Sequence, residues 1–388
     1  MRSTFLPYCK PFVGPEETAV IAELVTSGWL TTGPRVHEFE REFARRSGVP
    51  NALAVNSCTA ALHLGMIALG VGPGDEVVMP SLTFVAGAQC ARELGAKPVF
   101  ADIDPETLSI TPDTIRRVVT KRTKLIVPMH YGGRPAPIRE IVEFARPRGI
   151  RVLEDAAHSV GMLSDGTWAG ALSDAAAYSF YPTKNITTIE GGMLLSNDPA
   201  IVDRARVLSL HGMDRDAWKR YAQGGTWRYD VVEPGYKYNL PDIGAAMGLL
   251  QLRKLDVMQH MRNVLARHYI EGLAHFHGIR VVTKPLSAPN THALCMFVIE
   301  VDPAQYGMGR DALIERLRQR NIGTSVHYVP THLFSAYRDP QISLDVTERV
   351  WERILSLPLY PGMSTDDVDD VLDVLDLSAV AAAEVASG

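Results

Sequence analysis

A single lysine, Lys184, stands where one apolar run gives way to another, in the stretch Ser179–Gly192 (SFYPTKNITTIEGG). The run before it, Ala175–Phe180, is apolar and aromatic and predicts a buried strand, and another apolar run, Met193–Leu195, follows it. A lysine in so apolar a frame has little room to reach water. A buried amine has a lowered pKa, which makes it a nucleophile. A lone lysine between two strands is more often a surface residue, so the residues around it decide the interpretation.

The second reactive group is a carboxylate, Asp155, in the sequence Arg151–Ser159 (RVLEDAAHS). Arg151–Leu153 predicts a short strand, and ligands of open α/β sheets bind at the carboxyl ends of strands. A lysine that holds an aldehyde and a carboxylate that holds a pyridinium nitrogen are what pyridoxal phosphate (PLP) needs. Taken alone, Asp155 could also be a helix N-cap. If it opens a helix, His158 at i+3 faces the same way.

A third feature is a turn of small residues that is suited to an anion. Ala52–Val55 predicts a strand, and Asn56–Ala61 (NSCTAA) turns into a helix that runs through Leu69. Free N–H groups and the helix dipole favour a phosphate at such a helix start, so we expect the amides of Thr59 and Ala60 to bind one. Hydroxyl residues at this position also serve as ordinary N-caps.

These residues must be positioned by a larger framework. Helices are predicted at Glu16–Ser27 and Arg35–Ser47, on either side of the loop Trp29–Pro34. Further strands are predicted at Val77–Met79, Pro98–Ala101, Leu125–Val127, Arg151–Leu153, Ala175–Phe180 and Met193–Ser196. Alternation of strands and helices predicts a mostly parallel, doubly wound sheet. His130 ends one of the strands, where a ligand contact and a structural turn are equally compatible with the sequence.

The chain of 388 residues exceeds what one core usually holds. We therefore expect a large domain at residues 1–255 and a small α+β domain at residues 256–388, with the junction near Leu255–Asn263. The small domain is expected to contain a strand at Ala293–Val301, a helix at Arg310–Arg320, the segment Ile322–Tyr328 and a terminal helix from Thr365.

Composition narrows the class of protein. Hydrophobic residues make up 46% of the chain and charged residues 21%, and the net charge is −5, which disfavours a nucleic-acid surface. The four cysteines form no CxxC pair, so neither a metal site nor a disulfide framework is expected. No apolar run approaches about 18 residues, and the first residues lack an apolar signal segment, so no membrane association and a cytoplasmic, soluble protein are expected.

Several motifs in one order resemble the DegT/DnrJ/EryC1/StrS family of sugar aminotransferases, which are fold-type I (aspartate aminotransferase-like) PLP enzymes. The motifs are SGWLTTGP, NSCTAAL, GDEVVMPSLTF, EDAAHS, SFYPTKN with EGGM, and GYKYNLPDIGAAMGLLQL. The resemblance extends from about Leu6 to about Leu377. It implies an α/β fold with a large PLP-binding domain followed by a small α+β domain.

The resemblance also implies roles at the cofactor ring. Lys184 would hold PLP covalently and act as general base and acid, and Asp155 would keep the pyridine nitrogen protonated. Phe84 would stack on the ring, and His158 would reach the ring oxygen. An isolated Phe84 would otherwise be read as an ordinary core residue.

The phosphate would be bound by residues from two subunits of a homodimer. Thr59, Ala60 and Ser179 would come from one subunit. Lys237 and Asn239, which precede a helix of small residues at Ile243–Leu252, would come from the partner. The alternative for Lys237 is a solvated lysine on a loop.

Substrate contacts are implied for two further segments. Thr31 and Thr32 lie in the loop that borders the active site in the family. His327 and Tyr328 lie in a segment that resembles the family's substrate-side loop.

The implied reaction is a two-step aldimine/ketimine transamination that produces PMP, the amine form of the cofactor, from L-glutamate and then delivers the amine to a nucleotide-linked keto sugar. The C4 ketone of a 4-keto-6-deoxy sugar is preferred, followed by a 3-keto sugar and a keto-cyclitol. Relatives that dehydrate the sugar carry histidine in place of the lysine, and Lys184 argues against that reaction. A non-catalytic regulatory or sensor homologue is the alternative from a different class.

Overall fold

The structure is a computed structural model that describes residues 2–214 and 229–377. These residues form a seven-stranded and a three-stranded sheet with helices packed against them. The strands are β1 (Asn51–Val55), β2 (Glu76–Pro80), β3 (Lys97–Ala101), β4 (Thr123–Ile126), β5 (Arg151–Ala156), β6 (Ala175–Ser179), β7 (Gly192–Ser196), β8 (Ile279–Val281), β9 (Phe297–Val301) and β10 (Ile354–Leu357). The α-helices are α1 (Pro15–Ser27), α2 (Pro34–Ser47), α3 (Cys58–Ala68), α4 (Ala86–Glu93), α5 (Pro112–Arg116), α6 (Ile138–Ala145), α7 (Pro199–Ser209), α8 (Asp242–Leu273), α9 (Pro303–Tyr306), α10 (Arg310–Gln319), α11 (Asp345–Trp351) and α12 (Thr365–Leu375).

The large sheet is mostly parallel, which confirms the predicted architecture. Its strand order is β1-β7-β6-β5-β4-β2-β3, and only β7 runs against its neighbours β1 and β6. Alternate side chains of a strand face opposite sides of a sheet. Leu53 and Val55 of β1 therefore pack with α3, α4 and α7, whereas Ala52 and Ala54 pack with α2 and α8. Helices cover both faces, as in a doubly wound fold.

The direction of the strands decides where a site can form. Strands β1, β5 and β6 run in the same direction, so their carboxyl ends meet at one edge of the sheet. At that edge β1 turns into α3, β5 carries Asp155, and β6 ends at Ser179 just before Lys184. The residues singled out from the sequence are therefore brought together by strand direction alone.

A second core surrounds the small antiparallel sheet, which has the order β10-β9-β8. Helices α10 and α12 and the last part of α8 cover it, and Leu6 is buried in the same core. Helix α8 is continuous through the expected junction: Leu249 packs in the core of the large sheet and Leu265 in the second core. The boundary after Leu255 falls inside a helix that both cores share, and it stays a prediction.

Some local structure differs from the sequence interpretation. Asp155 does not open a helix: it lies inside β5, and turns follow it. The strand expected to begin at Ala293 begins only at Phe297. Ile322–Tyr328 forms no continuous strand: Ile322 makes an isolated bridge to Leu6, and Ser325 makes one to Ser356 of β10.

Within residues 2–214 and 229–377, every helix is too short or too polar to cross a lipid bilayer.

Candidate active site

A cavity of about 580 Å³ opens at the carboxyl edge of the large sheet. On one side lie the turn before α3 and the ends of β5 and β6. On the other side lie the segment after α10 and the amino-terminal residues. The predicted site residues that line it are Thr59, Phe84, Asp155, Ser179, Lys184, His327 and Tyr328.

Lys184 is presented by a tight turn after β6. Its own amide donates to the Tyr181 carbonyl at 2.9 Å, and the next residue, Asn185, is buried and donates through Nδ2 to the Ala293 carbonyl at 2.6 Å. The lysine itself is half-buried, not enclosed as the apolar sequence suggested, because it opens into the cavity. Its Nζ makes no hydrogen bond or ion pair within the described residues, so it is available to a ligand.

Asp155 supplies a carboxylate near the floor of the cavity. It is 6% exposed, and its Oδ1 accepts a hydrogen bond from the Ala157 amide at 3.1 Å. Burial raises the pKa of the Asp155 carboxyl, while the Ala157 amide and the charge of Lys184 lower it. A buried carboxylate with one hydrogen bond gains from a cationic ligand, because an unpaired charge is costly in such a place.

The neighbouring residue Glu154 takes part in a separate buried network. His130 accepts the Ala136 amide at Nδ1 (3.0 Å) and donates from Nε2 to Glu154 Oε2 at 2.7 Å. The other oxygen, Glu154 Oε1, accepts from the Gly170 amide at 2.6 Å and the Ser173 hydroxyl at 2.5 Å. All of the polar atoms of His130 are thus used inside the protein, which supports the structural alternative for this residue.

The turn before α3 is an anion site made of backbone. Ser57 caps the helix, and its Oγ accepts the Ala60 amide at 3.1 Å. The Ala60 amide, predicted as a phosphate donor, is therefore already bonded, whereas the amides of Cys58 and Thr59 have no acceptor among the described residues. The Cys58 thiol turns towards the sheet, with Sγ 3.5 Å from the Ala177 carbonyl.

Two more features complete this end of the cavity. Ser179 Oγ accepts the Tyr181 amide at 3.4 Å, which leaves its proton free to donate to a ligand. Gly192 packs directly against the turn: a Cβ at this position would lie 2.5 Å from the Ser57 carbonyl group and 2.6 Å from the Cys58 nitrogen. Only glycine allows this close approach of the two backbones.

Phe84 contributes an aromatic side chain to the cavity surface. It is 56% exposed although it follows the buried strand β2. Its ring centroid lies 6.0 Å from that of Tyr328. An exposed phenylalanine in a cavity of this kind is suited to covering a planar ligand.

His158 lies behind the cavity surface. It is 2% exposed, its Nδ1 accepts the Gly132 amide at 3.3 Å, and its Nε2 lies 3.0 Å from Tyr328 Oη. Burial lowers the pKa of His158 well below its usual value, and the charge of Lys184 lowers it further. The imidazole is therefore neutral, and at this point Tyr328 forms the surface of the cavity.

Sequence reasoning missed Tyr8 and Ser325, which also line the cavity. Tyr8 belongs to an amino-terminal segment that is held by two hydrogen bonds, from the Leu6 amide to Asn321 O and from the Gly323 amide to Leu6 O, both 2.8 Å. Neither residue lies at a strand end or in a recognisable motif. The alternation of the apolar Leu6 with Tyr8 was the one available signal.

Together Tyr8, Ser325, His327 and Tyr328 form what we call the neutral wall. His327 Nδ1 lies 2.9 Å from the Ser356 hydroxyl, and the Tyr8 and His327 rings pack with centroids 5.2 Å apart. Burial and the nearby Lys184 lower the pKa of His327 to about 4, so it is uncharged at neutral pH. Its Nε2 has no partner among the described residues.

Four predicted residues lie elsewhere, on the surface around the start of α8. Lys237 Nζ donates to Asn239 Oδ1 at 2.6 Å, Asn239 Nδ2 donates to Thr32 Oγ1 at 2.6 Å, and Thr32 Oγ1 donates to the Leu240 carbonyl at 2.7 Å. Thr31 adjoins this chain of bonds and is exposed. None of the four lines the cavity of its own chain.

The geometry fits PLP. A buried carboxylate, an unpaired lysine, an exposed aromatic ring and a helix start with two free amides match the pyridine nitrogen, the aldehyde, the ring face and the phosphate of this cofactor. No cationic side chain lies at the helix start among residues 2–214 and 229–377, so these residues would bind a phosphate there through neutral donors and the α3 dipole.

The sequence profile of the DegT/DnrJ/EryC1/StrS aminotransferase family matches residues 11–376. The chain is 45% identical over 372 residues to the spore coat polysaccharide biosynthesis protein SpsC of Bacillus subtilis (strain 168), a match that covers 95% of each chain.

The chain is also similar to solved structures over nearly its whole length. The aminotransferase TlmJ from Streptoalloteichus hindustanus has a TM-score of 0.89 and 37% identity, over 97% of this chain and 100% of TlmJ. DesI, solved in the presence of its TDP-sugar product, has a TM-score of 0.88 and 32% identity, over 100% of this chain and 96% of DesI. Structures with this fold have been solved in a PLP form and in a PMP form.

Proposed function

This chain belongs to the DegT/DnrJ/EryC1/StrS aminotransferase family, and on that premise we propose that it transfers an amino group from L-glutamate to a nucleotide-linked keto sugar. It is a PLP-dependent aminotransferase. The identity of the donor and of the acceptor, and the position of the ketone, are parts of the proposal.

The neutral wall is the observation that carries the proposal. The neutral wall offers two phenol groups, a hydroxyl and an uncharged imidazole to the cavity, and among the described residues Lys184 is the one cation that lines it. Hydroxyl and imidazole groups suit the many hydroxyls of a sugar, and aromatic faces suit its apolar ring face. An enzyme that took only dicarboxylic substrates would need fixed cations there.

The residues on the Lys184 side of the cavity would hold the cofactor and move protons. PLP supplies an electron sink that stabilises negative charge on the reacting carbon. Asp155 would hold the ring nitrogen in its protonated form. Lys184, which lies free at the end of its turn, would take a proton from the carbon of the donor and return one to the carbon of the acceptor. Phe84 would cover one face of the ring.

The phosphate would be bound by both subunits of a homodimer. The Cys58 and Thr59 amides and the Ser179 hydroxyl would come from one subunit. Lys237 is exposed and donates to Asn239. The partner subunit would supply this lysine as the cation for the phosphate. Burial lowers the pKa of Lys237, and a phosphate dianion would oppose that shift.

The acceptor is proposed to be a 4-keto-6-deoxy sugar on a nucleotide, with a 3-keto sugar and a keto-cyclitol as the second and third candidates. DesI was solved with a TDP-sugar product, which supports the nucleotide part. Thr31 and Thr32, beside Lys237 on the surface, would reach the substrate in the partner's cavity. The cytoplasmic location expected from the sequence belongs to the same proposal.

The test starts from enzyme converted to its amine form with L-glutamate and freed of keto acid. Nucleotide-linked 4-keto and 3-keto sugars and a keto-cyclitol are then added separately. The absorbance of the PLP form should return first with the 4-keto sugar, and mass spectrometry should find the amino sugar. Return with the cyclitol alone would contradict the sugar proposal, and absence of bleaching by glutamate would contradict the donor.

The shared site is tested by mixing two inactive variants. Lys184→Ala and Lys237→Glu subunits would exchange into mixed dimers with one doubly defective and one intact site, so activity should rise to about one quarter of the wild-type value at random exchange. Lys184→Ala mixed with Asp155→Asn is the matched control, because both residues line one chain's cavity and no intact site can form. Activity in the control alone, or in neither mixture despite demonstrated exchange, would refute the role of Lys237.

A further inference from the structure

His158 and Tyr328 form a hydrogen-bonded pair that fixes the direction of one proton. Since the Gly132 amide donates to His158 Nδ1, the neutral imidazole carries its proton on Nε2. That proton points at Tyr328 Oη, 3.0 Å away. The phenol oxygen is therefore an acceptor from His158, and its own O–H proton remains for another partner.

The free proton of Tyr328 has one direction left. Its hydroxyl has no other partner within the described residues, and the side chain lines the cavity. Burial raises the pKa of Tyr328 well above its usual value, so the group is a phenol and not a phenolate. Tyr328 thus offers an oriented O–H donor to whatever occupies the cavity.

The position of Tyr328 relates this donor to a particular part of the ligand. Its ring lies 6.0 Å from Phe84, the residue placed to cover the pyridine ring. It also lies 6.1 Å from the His158 ring, at an angle of 14°, and His158 is three residues beyond Asp155. Tyr328 therefore lies beside Phe84, and its hydroxyl is hydrogen-bonded to His158 in the turn that follows Asp155. Tyr8, in contrast, packs on His327, and no described side chain orients its hydroxyl.

The chemistry of PLP leaves one polar atom without a partner. The phosphate, the ring nitrogen and the aldehyde carbon are assigned to the α3 turn, Asp155 and Lys184. The remaining ring oxygen is attached next to the aldehyde-bearing carbon, and it is negatively charged when the ring nitrogen is protonated. A negative oxygen in a buried cavity is costly without a donor.

We propose that the Tyr328 hydroxyl donates to the ring oxygen of bound PLP, and that His158 is a positioning residue that acts through Tyr328. This inference rests on the cofactor placement proposed above. It differs from the direct contact between His158 and the ring oxygen that the sequence suggested, because both imidazole nitrogens are already used within the protein.

The proposal predicts a spectroscopic effect. The charge on the ring oxygen helps to keep a proton on the Lys184 nitrogen that holds the cofactor. A hydroxyl that donates to the same oxygen withdraws part of that charge, and the nitrogen then loses its proton at a lower pH. Chains of hydrogen bonds polarise one another, so the His158 contact strengthens this effect.

The experiment is a pH titration of the absorbance of bound cofactor in the purified PLP-loaded enzyme. Tyr328→Phe should raise the midpoint by about one pH unit, the size expected for one hydrogen bond to a charged group. Tyr8→Phe is the matched control, because it removes the same atom from the same cavity, and it should leave the midpoint in place. His158→Asn is too short to reach Tyr328 and should give part of the shift seen with Tyr328→Phe. His158→Gln, which can reach Tyr328, should return the midpoint to the wild-type value.

The coupling between His158 and Tyr328 shows whether His158 acts through Tyr328 or contacts the ring oxygen directly. The double variant His158→Asn/Tyr328→Phe should titrate like Tyr328→Phe alone, since His158 has no other route to the ring. If His158→Asn shifts the midpoint equally in both backgrounds while Tyr328→Phe has no effect, His158 contacts the oxygen directly and the proposal is wrong. A wild-type enzyme whose borohydride label lies on a lysine other than Lys184 would instead overturn the cofactor placement itself.

Discussion

The two sides of the cavity are built in different ways. One side, which we call the sheet wall, comprises Thr59, Asp155, Ser179 and Lys184 and supplies charge and backbone amides from the ends of regular strands and one helix. The neutral wall supplies uncharged hydroxyl and imidazole groups from segments without regular structure. The reaction chemistry is thus placed on the rigid framework, and the groups that would meet the substrate lie on irregular segments where sequence change is tolerated.

The two walls also differ in how they are held. The sheet wall is fixed by parallel pairing of β5 and β6 and by the approach of Gly192 to the α3 turn. The neutral wall depends on a few bonds between distant segments, such as Leu6 with Asn321 and Ser325 with Ser356. Changes in the sheet wall should therefore abolish chemistry, whereas changes in the neutral wall, apart from Tyr328 with its proposed cofactor contact, should alter which substrate binds.

Lys184→Ala should have the largest effect. Without the amine, neither covalent binding of PLP nor proton transfer can occur, and turnover should fall by at least ~10⁴-fold. Lys121→Ala, which removes an exposed lysine, is the control and should remain active. Borohydride reduction and peptide mapping should find the cofactor on Lys184 in the wild-type and Lys121→Ala proteins. A label at any other lysine would contradict the assignment.

Asp155→Asn should have the second-largest effect on turnover. The fold should be retained, and turnover should fall by ~10³-fold, which corresponds to an activation free energy about 4 kcal/mol higher. Asparagine has nearly the same shape but no charge to keep the ring nitrogen protonated. Asp203→Asn, on the exposed side of α7, should change nothing. Transamination by Asp155→Asn within about tenfold of the parent would show that Asp155 is not the pyridinium partner.

The contrast between the walls also explains what the sequence could predict. Lys184, Asp155 and Thr59 follow or end apolar runs, and the direction of parallel strands brings such positions to one edge, so their cavity location followed from local pattern. Tyr8 reaches the cavity because Leu6 pairs with a segment more than 300 residues away, and Ser325 because it pairs with Ser356 of β10; no local pattern encodes either pairing.

Other differences have local physical causes. The Ala60 amide is used by the Ser57 cap, since the hydroxyl satisfies a helix donor before any ligand does. His158 lies behind Tyr328 because Asp155 stays in a strand, and the turn after it directs the imidazole to Gly132. The predicted junction after Leu255 is not visible as a break because one helix serves both cores.

Gly192→Ala tests how the sheet wall is held. The added Cβ would meet the backbone of Ser57 and Cys58 at 2.5–2.6 Å, and these atoms cannot move without opening the phosphate turn. We expect a loss of about 2 kcal/mol in the free energy of unfolding and a PLP affinity lowered about thirtyfold. Gly72→Ala, where the Cβ would meet nothing within 4 Å, is the control. Equal PLP affinities in the two variants would refute the importance of this contact.

The pH dependence of stability tests the neutral wall. The folded pKa of His327 is about 4, against 6.5 for an unperturbed histidine, so the unfolded chain holds more protons between these values. The contribution of the neutral His327 side chain to the free energy of unfolding is complete above about pH 6.5. It is lost as the pH falls towards 4, at up to about 1.4 kcal/mol per pH unit. Urea unfolding of His327→Asn should show a flatter pH dependence in this range, and the exposed His277→Asn should not. Parallel curves for His327→Asn and the parent would contradict the neutral state of His327.

Tyr8→Phe should give the smallest effect and the most selective one. The Tyr8 hydroxyl has no partner within the described residues and faces the cavity, so its removal leaves no broken contact inside the protein. If it binds a sugar hydroxyl, KM for the keto sugar should rise about fivefold, or about 1 kcal/mol, while KM for glutamate stays the same. Tyr181→Phe removes the same atom from the side of the cavity next to Lys184 and should leave the sugar KM unchanged. Because both substrates use the same lysine, an equal rise in both KM values would mean that Tyr8 supports the fold of the site and does not distinguish the sugar, and the division between the two walls would fail at this residue.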